Sequence, residues 1–143
     1  MERDMEDISY HVVKEADNAR ILELYRAAGW WQMDENPEYL DTVKAIIANS
    51  FCFVIAKKGE QIIGMGRAIS DKVSDAYIQD VTVWEPERGA GIGKGIIREL
   101  VRFLKAHKIQ WIGLISEPGY ERFYGKLGFS VMQSYTPFLL SEE

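Results

Sequence analysis

The residue pattern predicts an α/β fold built on a single mixed β-sheet flanked by helices, and three observations carry that expectation. Apolar runs of strand length alternate with stretches in which apolar residues recur at helical spacing, in the order β, α, α, β, β, β, α, β, α, β. The run VTVWEPERGAGIGKGIIREL, residues 81–100, passes from a β-branched strand through a glycine-dense turn. It then opens onto Ile92, Ile96, Ile97, Leu100, Val101 and Leu104 at helical intervals. Finally, 143 residues, 47% hydrophobic and 27% charged, suffice for one core, and no repeat, low-complexity tract or linker divides them. One domain is therefore expected over residues 8–143, after a charged and flexible start at 1–7.

Each element has a local reason. Residues 8–13 read as a first strand, and Asp17 or Asn18 can cap a helix with Ile21, Leu24, Tyr25 and Ala28 on one face, ended by Gly29. After WWQMDENPEY a second helix carries Leu40, Val43 and Ile47 on its apolar side. Residues 51–56 and 62–69 are strand-like, and KKGEQ between them has the glycine and charges of a hairpin connection. Residues 71–75 turn the chain into a strand at 76–84 that feeds the glycine turn and the long helix. A short apolar strand follows at 111–115; Glu117 and Pro118 then take the cap and first positions of a last helix, closed by Gly128. Residues 129–131 and 137–140 supply final strand material, with Pro137 suited to an edge.

Composition excludes several functions. A formal charge of -5 leaves no basic footprint for an anionic polymer, so nucleic acid is not expected as a partner. Cys52 is the only cysteine and lies inside the apolar run FCFVIA, which removes an internal disulfide and cysteine metal ligation, and no metal site is expected. The start MERDMEDIS is charged, and no stretch has the length to span a bilayer, so no membrane partner is expected and the address is read as cytoplasmic.

The glycine turn carries the chemistry. Gly89, Gly91 and Gly93 allow positive φ and close approach of a bound oxygen to backbone N–H groups. The helix behind them begins with unpaired N–H groups and the positive end of its dipole, and Arg88, Lys94 and Arg98 add formal charge. This is an anion cradle suited to phosphate. Spacing separates the known kinds. A dinucleotide fingerprint would need glycine at Lys94 or Ile96, and a Walker A loop would need glycine at Arg88 and Ser or Thr at Gly95. The pattern R-G-x-G-I-G-K after a V-x-V strand resembles the acetyl-CoA pyrophosphate loop of the GNAT superfamily of N-acetyltransferases. A second motif, FYGKLGF at residues 123–129, resembles the FYxxxGF segment near the C-terminus of many GNAT enzymes, and the two stand in that family's order and separation.

The resemblance implies a GNAT-like fold, with acetyl-CoA as cosubstrate entering where two central parallel strands splay apart. Backbone groups of Val81 and Val83 would bind the pantetheine arm. Arg88, Gly89, Ala90, Gly91, Ile92, Gly93 and Lys94 would hold the pyrophosphate. Tyr124 would act as general acid for the leaving thiolate. Two departures stand out: Glu117 replaces the asparagine that many relatives place seven residues before this tyrosine, and the proline of WEPERG sits one position later than in many relatives. Independently of the family, Tyr124 shares a helical face with Tyr120, Phe123 and Leu127, which equally suits a structural aromatic.

The chemistry of an amine and a thioester sets the remaining requirements. An alkyl amine is mostly protonated at neutral pH and must lose a proton before it attacks, so a base or a water chain to one is needed. Asp80, just before Val81, is the first candidate; strict alternation would place it with Ile78, Thr82 and Trp84, where it could instead hydrogen-bond a turn. Asp34, Glu35, Asp71 and Asp75 could attract a cationic amine or simply be solvated, and His11 and His107 carry less weight. Trp30 and Trp31 either line a substrate pocket or cover the core between two helices. The sequence thus points to an acetyl-CoA-dependent N-acetyltransferase acting on a primary amine, with a small-molecule acceptor favoured over a peptide or protein amine. Association into a homodimer is compatible with it. A CoA-binding sensor without turnover is the reading from a different class.

Overall fold

In the computed structural model, which describes residues 7–142, five strands form one sheet in the order β1-β2-β3-β4-β5. Strands β1 (Ile8–Val12), β2 (Cys52–Lys58), β3 (Gln61–Ser70) and β4 (Asp75–Val83) are antiparallel neighbours, and β5 (Trp111–Leu114) runs parallel to β4. The helices are α1 (Asn18–Ala27), α2 (Glu38–Asn49), α3 (Ile92–Ala106) and α4 (Glu121–Gly125). The expected α/β architecture and element order are present up to the last strand. The expected flexible start lies, apart from Asp7, outside the described residues.

Alternation along β2 explains how the sheet is covered. Cys52, Val54 and Ala56 face α3, where Ile92, Ile96, Ile97, Leu100 and Leu104 close one core. Phe53 and Ile55 face the other way, where Ile21, Leu24 and Tyr25 of α1 and Val43 and Ile47 of α2 close a second. A strand buried on both faces must be apolar at consecutive positions, which is why FCFVIA is continuous. Burial pushes the Cys52 thiol up to about 12, with the charge of Glu99 adding to the effect, so it stays an unreactive thiol at neutral pH.

Local signals set most boundaries. Asp17 caps α1 by accepting from the Arg20 backbone N–H at 3.2 Å, and Gly29, at φ +83°, turns the chain away after the helix. Leu40, expected on the buried side of α2, is 40% exposed; α2 packs through Val43 and Ile47, and in its first turn Tyr39, not Leu40, meets the core. Glu117 and Pro118 do not begin the last helix. Gly119 adopts φ +96° directly after Pro118, a conformation no helix continues through, and α4 starts at Glu121. It ends at Gly125, and Gly128, at φ +99°, closes the turn that follows rather than the helix itself.

The expected last strand is absent. Residues 129–142 form no strand, Tyr135 is 75% exposed and Phe138, Leu139 and Leu140 exceed 90%. Strand-forming residues need a neighbouring ladder to satisfy their backbone groups, and among the described residues none reaches this segment, so β5 is the outermost strand. No helix among the described residues is long and apolar enough to cross a membrane.

Two glycines bring α3 onto the sheet. The ring of Tyr10 on β1 lies directly against Gly95, so the glycine at the site of a Walker A hydroxyl serves packing. A Cβ at Gly66 of β3 would stand 2.8 Å from Ile96 Cγ2, 3.1 Å from Val81 Cγ2 and 3.2 Å from Leu100 Cδ1. Gly66→Val is therefore expected to destabilise the fold by about 1–3 kcal/mol or more through overpacking. Urea unfolding checks this, with the midpoint lowered at unchanged m; an unshifted midpoint would contradict this seating of α3 on β3.

Candidate active site

The site begins where β4 and β5 part. The two strands pair from Asp75↔Trp111 to Ile78↔Leu114 and no further, whereas β4 runs on to Val83 with only β3 beside it. From Gln79 onward the β5 side of β4 has no strand partner, and it leads directly to the glycine turn. Such an opening at the carboxyl ends of parallel strands is where open α/β sheets receive ligands.

A bulge shapes this stretch. Arg67 pairs with Gln79 and Met65 with Thr82, so Asp80 and Val81 together face Gly66, and Asp80 takes φ +58°. Strict alternation therefore fails here. Asp80 does not share a face with Ile78: Ile78, Val81 and Val83 pack on the α3 side, while Asp80 turns toward α1. There its Oδ2 accepts from the buried Tyr25 hydroxyl at 2.7 Å and from Arg67 Nε at 2.7 Å. Arg67 also donates to Ser50 Oγ at 3.4 Å and Gln79 Oε1 at 3.3 Å. Burial, and then the Asp80 charge, push the Tyr25 phenol well above its usual range, so it remains a donor. Asp80 Oδ1 makes no hydrogen bond among the described residues.

The two tryptophans separate. Trp31 stacks on Tyr25 at 4.3 Å and leans on Tyr39 at 5.8 Å, joining the α1–α2 core. Trp30 meets Tyr25 edge-on at 6.2 Å, remains 37% exposed, and donates its indole N–H to Glu117 Oε2 at 3.2 Å.

Beyond β4 a 3-10 turn, Glu85–Glu87, absorbs the shifted proline. Arg88 Nε then donates to Val83 O at 2.9 Å, tying the loop to the strand end. Gly89 and Gly91 take φ +89° and +84°, with nothing within 4 Å of where their Cβ atoms would lie. Gly91 caps α3 without a side-chain hydrogen bond, and the first bond of the helix is from Gly95 N–H to Gly91 O. The N–H groups of Ile92, Gly93 and Lys94 are thereby left for another acceptor. A Cβ on Gly93 would stand 3.6 Å from Phe123 Cζ, an ordinary contact, so the start of α3 lies beside α4. Farther along, Arg98, Arg102 and Lys126 border an open depression of about 360 Å³. Open backbone donors, an exposed glycine turn and nearby cations fit the pyrophosphate of a CoA molecule.

Tyr124 of α4 is half-buried, edge-to-face with Phe123 at 5.0 Å and Phe129 at 5.9 Å. Burial raises its pKa, and Tyr120 and Glu117 add to the rise, so the phenol holds its proton at neutral pH. Its hydroxyl makes no hydrogen bond among the described residues.

Other candidates have local tasks. Asp71 accepts from the N–H groups of Ser74, Val73 and Asp75, which hold its carboxyl well below the usual carboxylate range and close the β3–β4 turn. Asp75 opens β4. The backbone carbonyls of Gln32 and Asp34 accept from the Arg26 guanidinium, and Glu35 is exposed. His11 pairs with Ser9, and His107 lies over Phe103 at the end of α3. Tyr25, Arg67 and Ser50 were not singled out from sequence, although Arg67 alone interrupts the apolar run IIGMGRAI and could have been.

A family model described as "Acetyltransferase (GNAT) family" matches residues 18–129. Among curated relatives, an uncharacterized N-acetyltransferase ycf52 of Pyropia yezoensis is 37% identical over 94 residues, 63% of this chain and 54% of its own length. A protein named histone acetyltransferase TAP1 in Glycine max is 40% identical over 70 residues, 49% of this chain and 30% of its own. The chain thus spans about half the length of the first and under a third of the second. A solved GNAT-family acetyltransferase from Streptococcus pneumoniae superposes with a TM-score of 0.78 at 21% identity, over 95% of this chain and 98% of that one. At that identity the superposition shows the fold.

The Asp80 network yields a test. Arg67→Met leaves the carboxylate with Tyr25 alone, and an expected loss of roughly 1.5–3 kcal/mol follows for a hydrogen bond between charged groups. In a cycle with Asp80→Asn the coupling is expected at about 0.5–3 kcal/mol. Strict additivity of the two changes in urea unfolding would show that the pair contributes nothing to holding the bulge.

Proposed function

This chain belongs to the acetyltransferase (GNAT) family, and from that premise we propose that it transfers an acetyl group from acetyl-CoA to a primary amine of a small molecule by direct attack in a ternary complex. One observation carries the reading: the edge of β4 released by β5 leads, through a 3-10 turn and the glycine turn, to a helix start with no side-chain cap. An extended, phosphate-terminated ligand can be bound along such a track by backbone groups alone. When bound, acetyl-CoA supplies an acetyl group already activated as a thioester, so this chain has to bind, orient and manage protons, without forming a covalent intermediate.

The roles divide along the track. The N–H groups of residues 89–94 take the pyrophosphate, the Arg88 N–H being held by Glu85 O at 3.1 Å, and the main chain at Val81 and Val83 takes the pantetheine arm. A strand N–H there also stabilises negative charge on the acetyl oxygen. Tyr124, protonated at neutral pH and with a free hydroxyl, gives its proton to the departing sulfur. Asp80 accepts the amine proton through its unengaged Oδ1, directly or through water, while Arg67 and Tyr25 hold its Oδ2. Trp30 lines the acceptor side, and Trp31 supports it from the core through Tyr25. A protein lysine is the second acceptor reading, favoured by the likeness to the histone acetyltransferase TAP1 of Glycine max. Thiol release across small amines and peptides, with mass spectrometry of the products, separates the two.

Acetyl-CoA at 100 times its Kd is expected to stabilise the fold by about 2.7 kcal/mol, seen as a raised thermal midpoint, with NAD far less effective. Gly91→Val, which puts a side chain on an αL residue and into the open cradle, is expected to weaken CoA at least tenfold while costing about 1–2 kcal/mol of stability. Calorimetric CoA binding unchanged in the folded variant would remove the loop as the pyrophosphate site.

Tyr124→Phe keeps the ring among Phe123 and Phe129 and deletes only the hydroxyl. Turnover is expected to fall by roughly 10²-fold with little change in acetyl-CoA affinity. Steady-state rates over pH check this. Wild-type rates with the alkaline limb retained would make Tyr124 a packing residue.

A further inference from the structure

Resting on that reading, we propose that Glu117, oriented by Trp30, is the carboxylate that receives the acceptor as an alkylammonium ion, with the exposed indole as its apolar wall. Glu117 stands three residues beyond the end of β5, at the mouth formed where β4 and β5 part. Trp30 comes from the loop after α1, 87 residues away in sequence, so their 3.2 Å hydrogen bond joins the two sides of the opening. The bond engages one carboxylate oxygen, Oε2, and leaves Oε1 without a hydrogen bond among the described residues. No lysine or arginine forms an ion pair with Glu117 among those residues, whereas Asp80, deeper on β4, is paired with Arg67. The backbone beside it is fixed by Ser116 Oγ, which donates to Glu117 O at 2.7 Å.

This set matches one chemical class. An alkyl amine arrives mostly as a cation, and a cation is recognised by a free carboxylate oxygen together with an aromatic face. Trp30, hydrogen-bonded to the carboxylate, is 37% exposed and offers the aromatic surface beside it. The charge of Glu117 also adds to the raised pKa of the Tyr124 phenol, so the carboxylate lies within electrostatic reach of that group. A neutral arylamine would gain nothing from this carboxylate. Glu117 therefore acts in binding and selecting the acceptor, and proton removal before attack is left to Asp80 or water.

Glu117→Gln tests this cleanly, because the amide oxygen can still accept from the Trp30 indole and only the charge is removed. The probe is n-butylammonium titrated into protein saturated with CoA, followed by tryptophan fluorescence and calorimetry at several salt concentrations. Wild type is expected to bind it with a Kd that rises with ionic strength, and Glu117→Gln to bind it roughly tenfold more weakly with that salt dependence flattened. In turnover, the ratio of kcat/KM for butylamine to that for aniline is expected to fall by about the same factor. The same Kd and salt dependence in both proteins would overturn the proposal, as would an unchanged ratio. Wild type that binds butylammonium through Glu117 yet never releases CoA would support this site and overturn the acetyltransferase reading.

Discussion

The opening between β4 and β5 exists because β4 meets different demands along its two edges, and the bulge at Asp80 reconciles them. On one side β4 must follow β3 to its end, with Met65 opposite Thr82 and Gly64 opposite Val83. On the other it leaves β5 after Ile78. The extra residue changes the pleat, so Val81 and Val83 still pack toward α3 and Asp80 is free to turn toward α1. A non-glycine residue at φ +58° is costly by itself, and the carboxylate bonds to Tyr25 and Arg67 offset that cost.

The same bulge ties the two cores together. Tyr25 is 1% exposed, belongs to the α1–α2 core and hydrogen-bonds Asp80, while Trp31 stacks against its ring. On the opposite face Gly66, which faces the bulge, leaves space for Val81, Ile96 and Leu100, and Gly95 leaves space for Tyr10. α3 can therefore lie close against the sheet and direct its first N–H groups at the end of β4. Backbone placement at the site depends on glycines and one aromatic layer some distance from any ligand.

In the proposed reading, selectivity and chemistry separate along this frame. The proposed cosubstrate track consists of backbone groups, which carry no preference for an acceptor. The groups that differ in charge and shape, Trp30, Glu117, Tyr120 and Tyr124, come from the α1–α2 loop and from the segment between β5 and the end of α4. Loops joined by a single exposed hydrogen bond can change acceptor without disturbing the sheet.

Sequence determined whatever depends on near neighbours. Periodicity marked α1, α3 and the strands of the antiparallel sheet; Asp17 and Gly29 marked the ends of α1, because caps and αL turns are local events. The spacing of Gly89 and Gly91 made the turn and the open helix start legible, since backbone donors at a helix start require only a permissive turn, whereas Gly93, expected in that turn, lies inside α3. The FYGKLGF segment likewise located α4 and its tyrosine, although not where that helix begins, because Gly119 interrupts the turn after Pro118. Tertiary structure decided what depends on register and distance. Alternation misplaced Asp80 because a bulge is imposed by the partner strand, and strand-like residues at 129–131 and 137–140 stayed outside the sheet because no ladder reaches them. Two adjacent tryptophans look equivalent in sequence. Only the packing of Tyr25 sends Trp31 to the core and leaves Trp30 to meet Glu117 across the opening, since a hydrogen bond spanning 87 residues has no local signature.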